Sequence, residues 1–360
     1  MKRTGVLLIN LGTPDEPSPE AVGRFLREFL MDGYVLDIPA ALRWPLVNVA
    51  IVPRRKKQSA QLYQKIHSAD GPPLLLHTKQ LTSEVSAALS GTGDQYLVKF
   101  GMRYGNPSIA SALEELCTKN VERIIVLPLY PQYAESSFET AVVETKKRAA
   151  ELGCADKLSF LQPFYADPNF INACAQRVTE HFNGDRPGHI LFSFHGVPVR
   201  HVKKLDRSQR HCLVTPNCCQ QISEVNQNCY RAQCISTAEA IREQLGLSES
   251  SCTTSFQSRF GRTEWVGPAT DEVLRSLARN GVRKVAVFCP SFVADCLETL
   301  EEIAIRGSET FVEAGGEELR LIPSLNSHPA WVTTVTNWIV EAAGPPRQPQ
   351  PAEAFNRTTR

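Results

Sequence analysis

Eleven cysteines are spread over 360 residues, yet five of them, Cys212, Cys218, Cys219, Cys229 and Cys234, fall within 23 positions. At the chain's average density a window of that length holds about 0.7 cysteines. The pattern is Cys-x5-Cys-Cys-x9-Cys-x4-Cys in a segment rich in Asn, Gln and Ser. Four thiolates suit a structural zinc or a 2Fe–2S cluster. The spacing matches neither the usual zinc pairs nor the plant-type ferredoxin pattern, so it leaves the metal open. Five cysteines for four positions leave one spare, expected to be Cys218 or Cys219. Cys117, Cys154, Cys174, Cys252 and Cys289 stand in or beside apolar runs and read as small hydrophobes.

Two further groups of residues have chemistry to offer. His195 directly follows an apolar run, 190–194, where an imidazole serves as a base or a metal ligand near neutral pH. A strand-end histidine bonded to backbone is the plain alternative. Asp295, Glu298 and Glu302 stand at i, i+3 and i+7, which puts three carboxylates on one helical face. A divalent cation with oxygen ligands gives one reason to keep such a repulsive stripe. A solvated acidic helix start, favoured by the macrodipole, is the other.

These side chains need a frame. Strand-like runs at 6–11, 96–101, 123–129 and 158–160 alternate with helical stretches at 19–29, 108–118 and 138–152. The pattern restarts after 165, with strands at 189–194, 252–257, 284–289 and 319–322. Its helices lie at 170–182, 236–245, 269–280, 297–305 and 329–343. The alternation predicts α/β architecture, two doubly wound lobes each with a four-stranded parallel sheet flanked by helices. The expected division is 1–165, then 166–328 with a cysteine-rich insertion at 205–235, a helix at 329–343 and a coreless Pro-rich tail at 344–360. Ligands of such sheets sit beyond the carboxyl ends of the strands, which is where His195 and the 295–302 helix start fall.

Composition narrows the classes. Hydrophobic residues are 42% and charged residues 21%, ordinary globular usage, and the net charge is +1. That balance argues against a surface built to neutralise nucleic-acid phosphates. The first apolar run is too short for a signal peptide, and no stretch approaches the ~20 residues of a membrane span, so a cytoplasmic chain is expected. The stretch 33–57 differs: a dozen apolar residues precede Arg54-Arg55-Lys56-Lys57. It suits an anionic membrane surface or the lip of a greasy pocket, with an ordinary buried helix as the plain reading.

Taken together, Ser193-Phe194-His195-Gly196-Val197-Pro198, Gln257-Ser258-Arg259, the run Trp265-Val266-Gly267-Pro268-Ala269-Thr270-Asp271-Glu272 and Asp295-Cys296-Leu297-Glu298-Thr299-Leu300-Glu301-Glu302 resemble the signature segments of ferrochelatases. So do 6–14, Arg103-Tyr104 and Tyr130-Pro131-Gln132-Tyr133, in family order. The resemblance implies the two-lobed chelatase fold and insertion of ferrous iron into protoporphyrin IX. It implies that His195 and Glu298 face one another across the porphyrin, His195 taking pyrrole protons while Glu298, Glu302 and Asp295 deliver iron. The converse assignment of these roles is also open. Met31, Tyr104, Tyr133 and Trp265 are then expected at the substrate, and Arg103 and Arg259 at its propionates. Many members carry histidine where Cys296 stands. The internal cysteines resemble bacterial members with a cluster in the second lobe, which favours 2Fe–2S over zinc. A monomer or homodimer, with peripheral contact to the inner membrane through the lip, is the expected state. A tetrapyrrole carrier, a chelatase for another metal and tetrapyrrole, and an iron–sulfur redox regulator are the rival readings.

Overall fold

A computed structural model describes residues 3–92, 95–182, 184, 188–215, 217–259, 261 and 263–344. The chain runs β1 (Arg3–Asn10), α1 (Pro19–Leu30), α2 (Ala40–Pro45), α3 (Val52–Ile66), α4 (Pro73–Ser90), β2 (Gln95–Met102), α5 (Ile109–Thr118), β3 (Val121–Pro128), α6 (Thr140–Glu151) and β4 (Leu158–Phe160). It continues through α7 (Pro168–Phe182), β5 (His189–His195), α8 (Val199–Leu205), α9 (Tyr230–Gln244), β6 (Cys252–Gln257), α10 (Thr270–Arg279) and β7 (Lys284–Phe288). The last elements are α11 (Leu297–Thr299), α12 (Ser308–Glu313), β8 (Glu318–Leu321) and α13 (Pro329–Ala343). Widened π-helical turns at Leu46–Ile51, Glu135–Glu139 and Leu300–Gly307 lead into α3, α6 and α12.

All strand pairs are parallel, in the orders β2-β1-β3-β4 and β6-β5-β7-β8. The two expected four-stranded sheets are therefore present, with one wiring used twice. In each sheet the chain steps from the first strand to one neighbour and then crosses to the other side. The carboxyl ends of β1 and β5 thus lie at the points where strand order reverses, where parallel sheets open a crevice for ligands.

Alternation along the strands assigns the layers. Val6 and Leu8 on β1, and Ile190, Phe192 and Phe194 on β5, face a common interior filled from α4, α7, α9 and α13. Leu7 and Ile9 face α5 and α6 on one outer side, and Leu191 faces α10 and α12 on the other. The lobes are therefore joined through one apolar core, and Trp331 of α13 sits in it fully buried.

Several details differ from the sequence reading. Helix α9 starts at Tyr230, six residues before the expected 236, so Cys234 is helical. Helices α4 and α8 have no counterpart in the expected elements, and α3 runs beyond the 33–57 stretch whose plain reading is a buried helix. Cys117 and Cys154 form a disulfide tying α5 to the end of α6. Both still pack at that core, so their reading as small hydrophobes misses only the bond. Residues 345–360, most of the expected tail, lie outside the described residues.

Candidate active site

His195 is the last residue of β5 and is paired with Gln257, the last of β6. Its main chain is pinned at both ends: its N–H donates to Ser291 Oγ (3.2 Å), and the Tyr230 hydroxyl donates to its carbonyl (2.8 Å). The imidazole Nδ1 lies 2.6 Å from Gly196 O. A carbonyl only accepts, so Nδ1 carries the proton and Nε2 keeps its lone pair in the neutral ring. Gly196 is required here, because a Cβ would come within 2.8 Å of Gln257 O and 3.3 Å of the Trp265 ring. Trp265 is brought to this loop by an antiparallel bridge to Pro198.

Gln257, 3% exposed, connects His195 to the acidic segment. Its Oε1 accepts from Ser193 Oγ (2.7 Å), and its Nε2 donates to Glu298 O (2.7 Å). Gln257 thereby meets the His195 strand end through its main chain, where Gly196 N–H donates to its carbonyl (2.8 Å), and the Glu298 carbonyl through its side-chain amide, at the carboxyl edge of the second sheet. The three carboxylates then part company. Asp295 is buried and accepts from Thr299 Oγ1 (3.0 Å), Ser324 N (3.2 Å) and Asn326 Nδ2 (2.8 Å). Glu302 accepts from Ser258 through its N–H (2.8 Å) and its hydroxyl (2.5 Å). Ser258 holds a left-handed backbone (φ 67°), a cost borne where both its donors aim at one carboxylate. Glu298 is half-buried, and no ion pair holds it among the described residues. It faces the buried Cys296 thiol, raised by burial and then by Glu298 itself, and Tyr63 of α3, raised by burial and then by Glu298 and Cys296.

The first lobe supplies a charged cage. Arg103 Nη2 pairs with Asp32, whose Oδ2 also accepts from the Tyr104 hydroxyl (2.8 Å) and Thr140 Oγ1 (2.5 Å). Tyr104 is fully buried under the Arg103 guanidinium, 4.4 Å from its ring centre, so it faces Asp32 rather than an open pocket. Arg103 is likewise engaged inside the protein. Arg259 pairs with Asp271 and Glu272 at the surface. Half-buried Tyr133 donates its N–H to Gln233 Oε1 (2.6 Å) and its hydroxyl to Glu139 (3.3 Å). Met31 Sδ accepts from Asn48 at the lip. Along that lip Val47 and Val52 are buried, while Leu42, Trp44, Leu46 and Val49 are 63%, 58%, 39% and 65% exposed. Asp32→Ala leaves Arg103 inside without its anion, and a loss of about 3–5 kcal/mol is expected in urea unfolding.

The cysteine segment is built around two polar anchors. Asp206 accepts from Ser208, His211 and Cys212 N–H groups, and these bonds, that from Cys212 first, hold its carboxyl well below the usual range. Asn226 donates to the carbonyls of Cys218 and Gln221. Between them Cys212, Cys218, Cys219 and Cys229 line one cavity of about 10 Å³. Cys234 does not line it; it lies one turn along α9, fully buried. Cys218 and Cys219 Sγ are 3.6 Å apart. Cys229 caps α9, and a bond from Cys219, with N–H groups of the helix start, holds its thiol below the usual value. The four-thiol donor set suits a 2Fe–2S core or zinc. The cavity is the size of one water, and among the described residues no three such side chains stand in metal-holding geometry. Ligation therefore requires the thiols to spread.

Gln257, Ser258, Tyr63, Asp32 and Tyr230 were not among the candidates. Gln257 and Ser258 sit in a quoted motif, but nothing local marks Tyr63 or Asp32, whose roles come from helices of the other lobe.

The family model described as Ferrochelatase matches residues 3–343. Ferrochelatase of Coxiella burnetii (strain Dugway 5J108-111) is 44% identical over 333 residues, 92% of either chain. Ferrochelatase of Azotobacter vinelandii is 45% identical over 331 residues, covering 92% of this chain and 96% of that one. Among solved structures, SirB from Bacillus subtilis with Fe3+ superposes with a TM-score of 0.51 at 13% identity, covering 96% of both chains. That likeness concerns the fold.

Proposed function

The chain belongs to the ferrochelatase family, and from that premise we propose that it inserts ferrous iron into protoporphyrin IX with His195 as proton acceptor and Glu298 as the carboxylate that handles iron. Ferrous iron and protoporphyrin give the iron porphyrin and two protons, so the site must remove pyrrole protons while the cation sheds water. The observation that carries the reading is the Gln257 amide, which fixes the Glu298 main chain beside the strand end that presents His195. With Nδ1–H bonded to Gly196 O, the Nε2 lone pair is the basic site. Glu298 is the stripe's available carboxylate, because Asp295 and Glu302 are bonded to protein donors. Asp295 and Glu302 then shape the helix start that presents Glu298. Trp265 beside Gly196, with Tyr133 and Met31 from the first lobe, supplies apolar surface for a macrocycle. Arg259 reaches a propionate by exchanging its surface carboxylates for it.

Cys212, Cys218, Cys219 and Cys229 would hold a 2Fe–2S cluster, a group that stores one electron and braces the loop when bound. Exposed Leu42, Trp44 and Val49 beside Arg54 and Lys57 favour peripheral docking of a cytoplasmic protein on the anionic surface of the inner membrane. No helix among the described residues is long and apolar enough to cross one.

The test is anaerobic. Ferrous iron added to protein and protoporphyrin quenches porphyrin fluorescence as haem forms, and a coproporphyrin arm ranks the two substrates. Stoichiometric porphyrin binding with no metal insertion is the carrier's result and rejects the enzyme. Cobalt or nickel outpacing iron points to the sibling chelatase. A visible iron–sulfur spectrum in protein purified without oxygen is expected, and a colourless zinc protein rejects the cluster.

A further inference from the structure

We propose that Tyr230 is a positioning residue that holds the main chain of His195 and makes it follow the state of the cysteine pocket. Tyr230 is 6% exposed and occupies the first turn of α9, immediately after Cys229, the pocket thiol at the helix cap. Its hydroxyl crosses to the second sheet and donates to His195 O at 2.8 Å. Ser291, which accepts the His195 N–H at 3.2 Å, also faces that hydroxyl. The two main-chain groups of His195 are therefore closed into one ring of bonds with Ser291 and Tyr230.

One peptide bond separates the pocket from this ring. The pocket holds a single water's volume, so a metal bound by its thiols spreads the cysteines that line it, Cys229 among them. Cys229 and Tyr230 belong to the same capped helix start, and a phenol is rigid beyond its two side-chain torsions. Displacement at Cys229 thus arrives at the His195 carbonyl. The bond from Nδ1 to Gly196 O lies in the next residue, so the ring orientation follows. A cysteine segment some 20 to 40 residues downstream in sequence is in this way placed behind the residue read as the base. The inference takes that role of His195 from the proposed function, but its structural arm is independent of it.

The chain contains one His–Gly peptide, His195–Gly196. Carbonyl-13C histidine with 15N glycine therefore yields one NMR correlation, and it reports the carbonyl that Tyr230 engages. In the reduced wild-type protein this signal is expected to move when one equivalent of Cd2+ is added and cadmium–thiolate absorption appears. In Tyr230→Phe it should start shifted and stay still on loading. Ser291→Ala, which frees the other end, should start shifted yet still respond. An unmoved wild-type signal, an equal response in Tyr230→Phe, or absence of cadmium–thiolate absorption overturns the link. In turnover, Tyr230→Phe should lower kcat about threefold to tenfold, the worth of one hydrogen bond, with KM for porphyrin unchanged. A rise in KM alone contradicts the positioning role. Should no metal insertion be found at all, the NMR arm still decides the coupling, and the two failures are told apart.

Discussion

With His195 replaced by alanine, kcat for iron insertion is expected to fall by about 10²–10⁴-fold, the usual worth of a placed proton acceptor, while porphyrin still binds. The expectation rests on the tautomer. Gly196 O fixes the proton on Nδ1, so Nε2 is ready to accept without a prior rearrangement. Alanine removes that lone pair and leaves the rest of the loop in place. The loop is held by main-chain bonds, to Ser291, to Tyr230 and from Gly196 N–H to Gln257 O at 2.8 Å, none of which needs the imidazole. Thermal unfolding should change little. Added imidazole should restore part of the rate if the missing group is a proton acceptor. A kcat within threefold of wild type, measured in a single anaerobic turnover, removes His195 from the chemistry and returns the strand-end histidine bonded to backbone as the correct reading.

That alternative was visible in the sequence, and its hydrogen bond is present: the imidazole is bonded to backbone, and the bond leaves the lone pair of its second nitrogen free. Other parts were legible for plain reasons. Strands such as 190–194 are apolar on both faces because both are covered, and a buried parallel strand declares itself as a continuous run. Helix α3 did not, since Arg54-Arg55-Lys56-Lys57 obscured its short buried stripe of Val52 and Ala60. The start of α9 was hidden because cysteines and glutamines carry little periodic signal. Charge partners were the least legible. Arg103 offered a cation and the natural guess was an external anion, whereas Asp32, 71 residues away, takes it. A sequence shows that a guanidinium exists, but only packing shows which carboxylate lies across from it. The same holds for the stripe at 295, 298 and 302. Helical spacing predicted one face, and the widened turn at Leu300–Gly307 together with the bonds from Ser258 and Asn326 gave the three carboxylates separate surroundings.

Those separate surroundings make the second large prediction a comparison of three neutral replacements. Glu298→Gln should lower kcat/KM for ferrous iron by about 10²–10³-fold, the cost of removing one electrostatic stabiliser from a reacting centre, with little change in stability. The amide keeps the shape and a hydrogen-bond acceptor for Cys296 and loses only the charge that draws the cation. Asp295→Asn should act the other way. Asp295 accepts three bonds in a buried place, and an amide must turn an N–H toward donors, so about 1–3 kcal/mol of stability is expected to go. Its effect on iron should be modest at temperatures where the variant is folded. Glu302→Gln loosens Ser258 and falls between them. Urea unfolding and initial rates over a range of iron concentrations separate the two axes. If instead all three replacements raise the iron requirement equally and leave stability alone, the carboxylates act as one cation path, and the division read from their hydrogen bonds is wrong. If Glu298→Gln costs stability and no activity, the carboxylate beside Cys296 and Tyr63 is a structural group, and iron must meet the porphyrin from the His195 side.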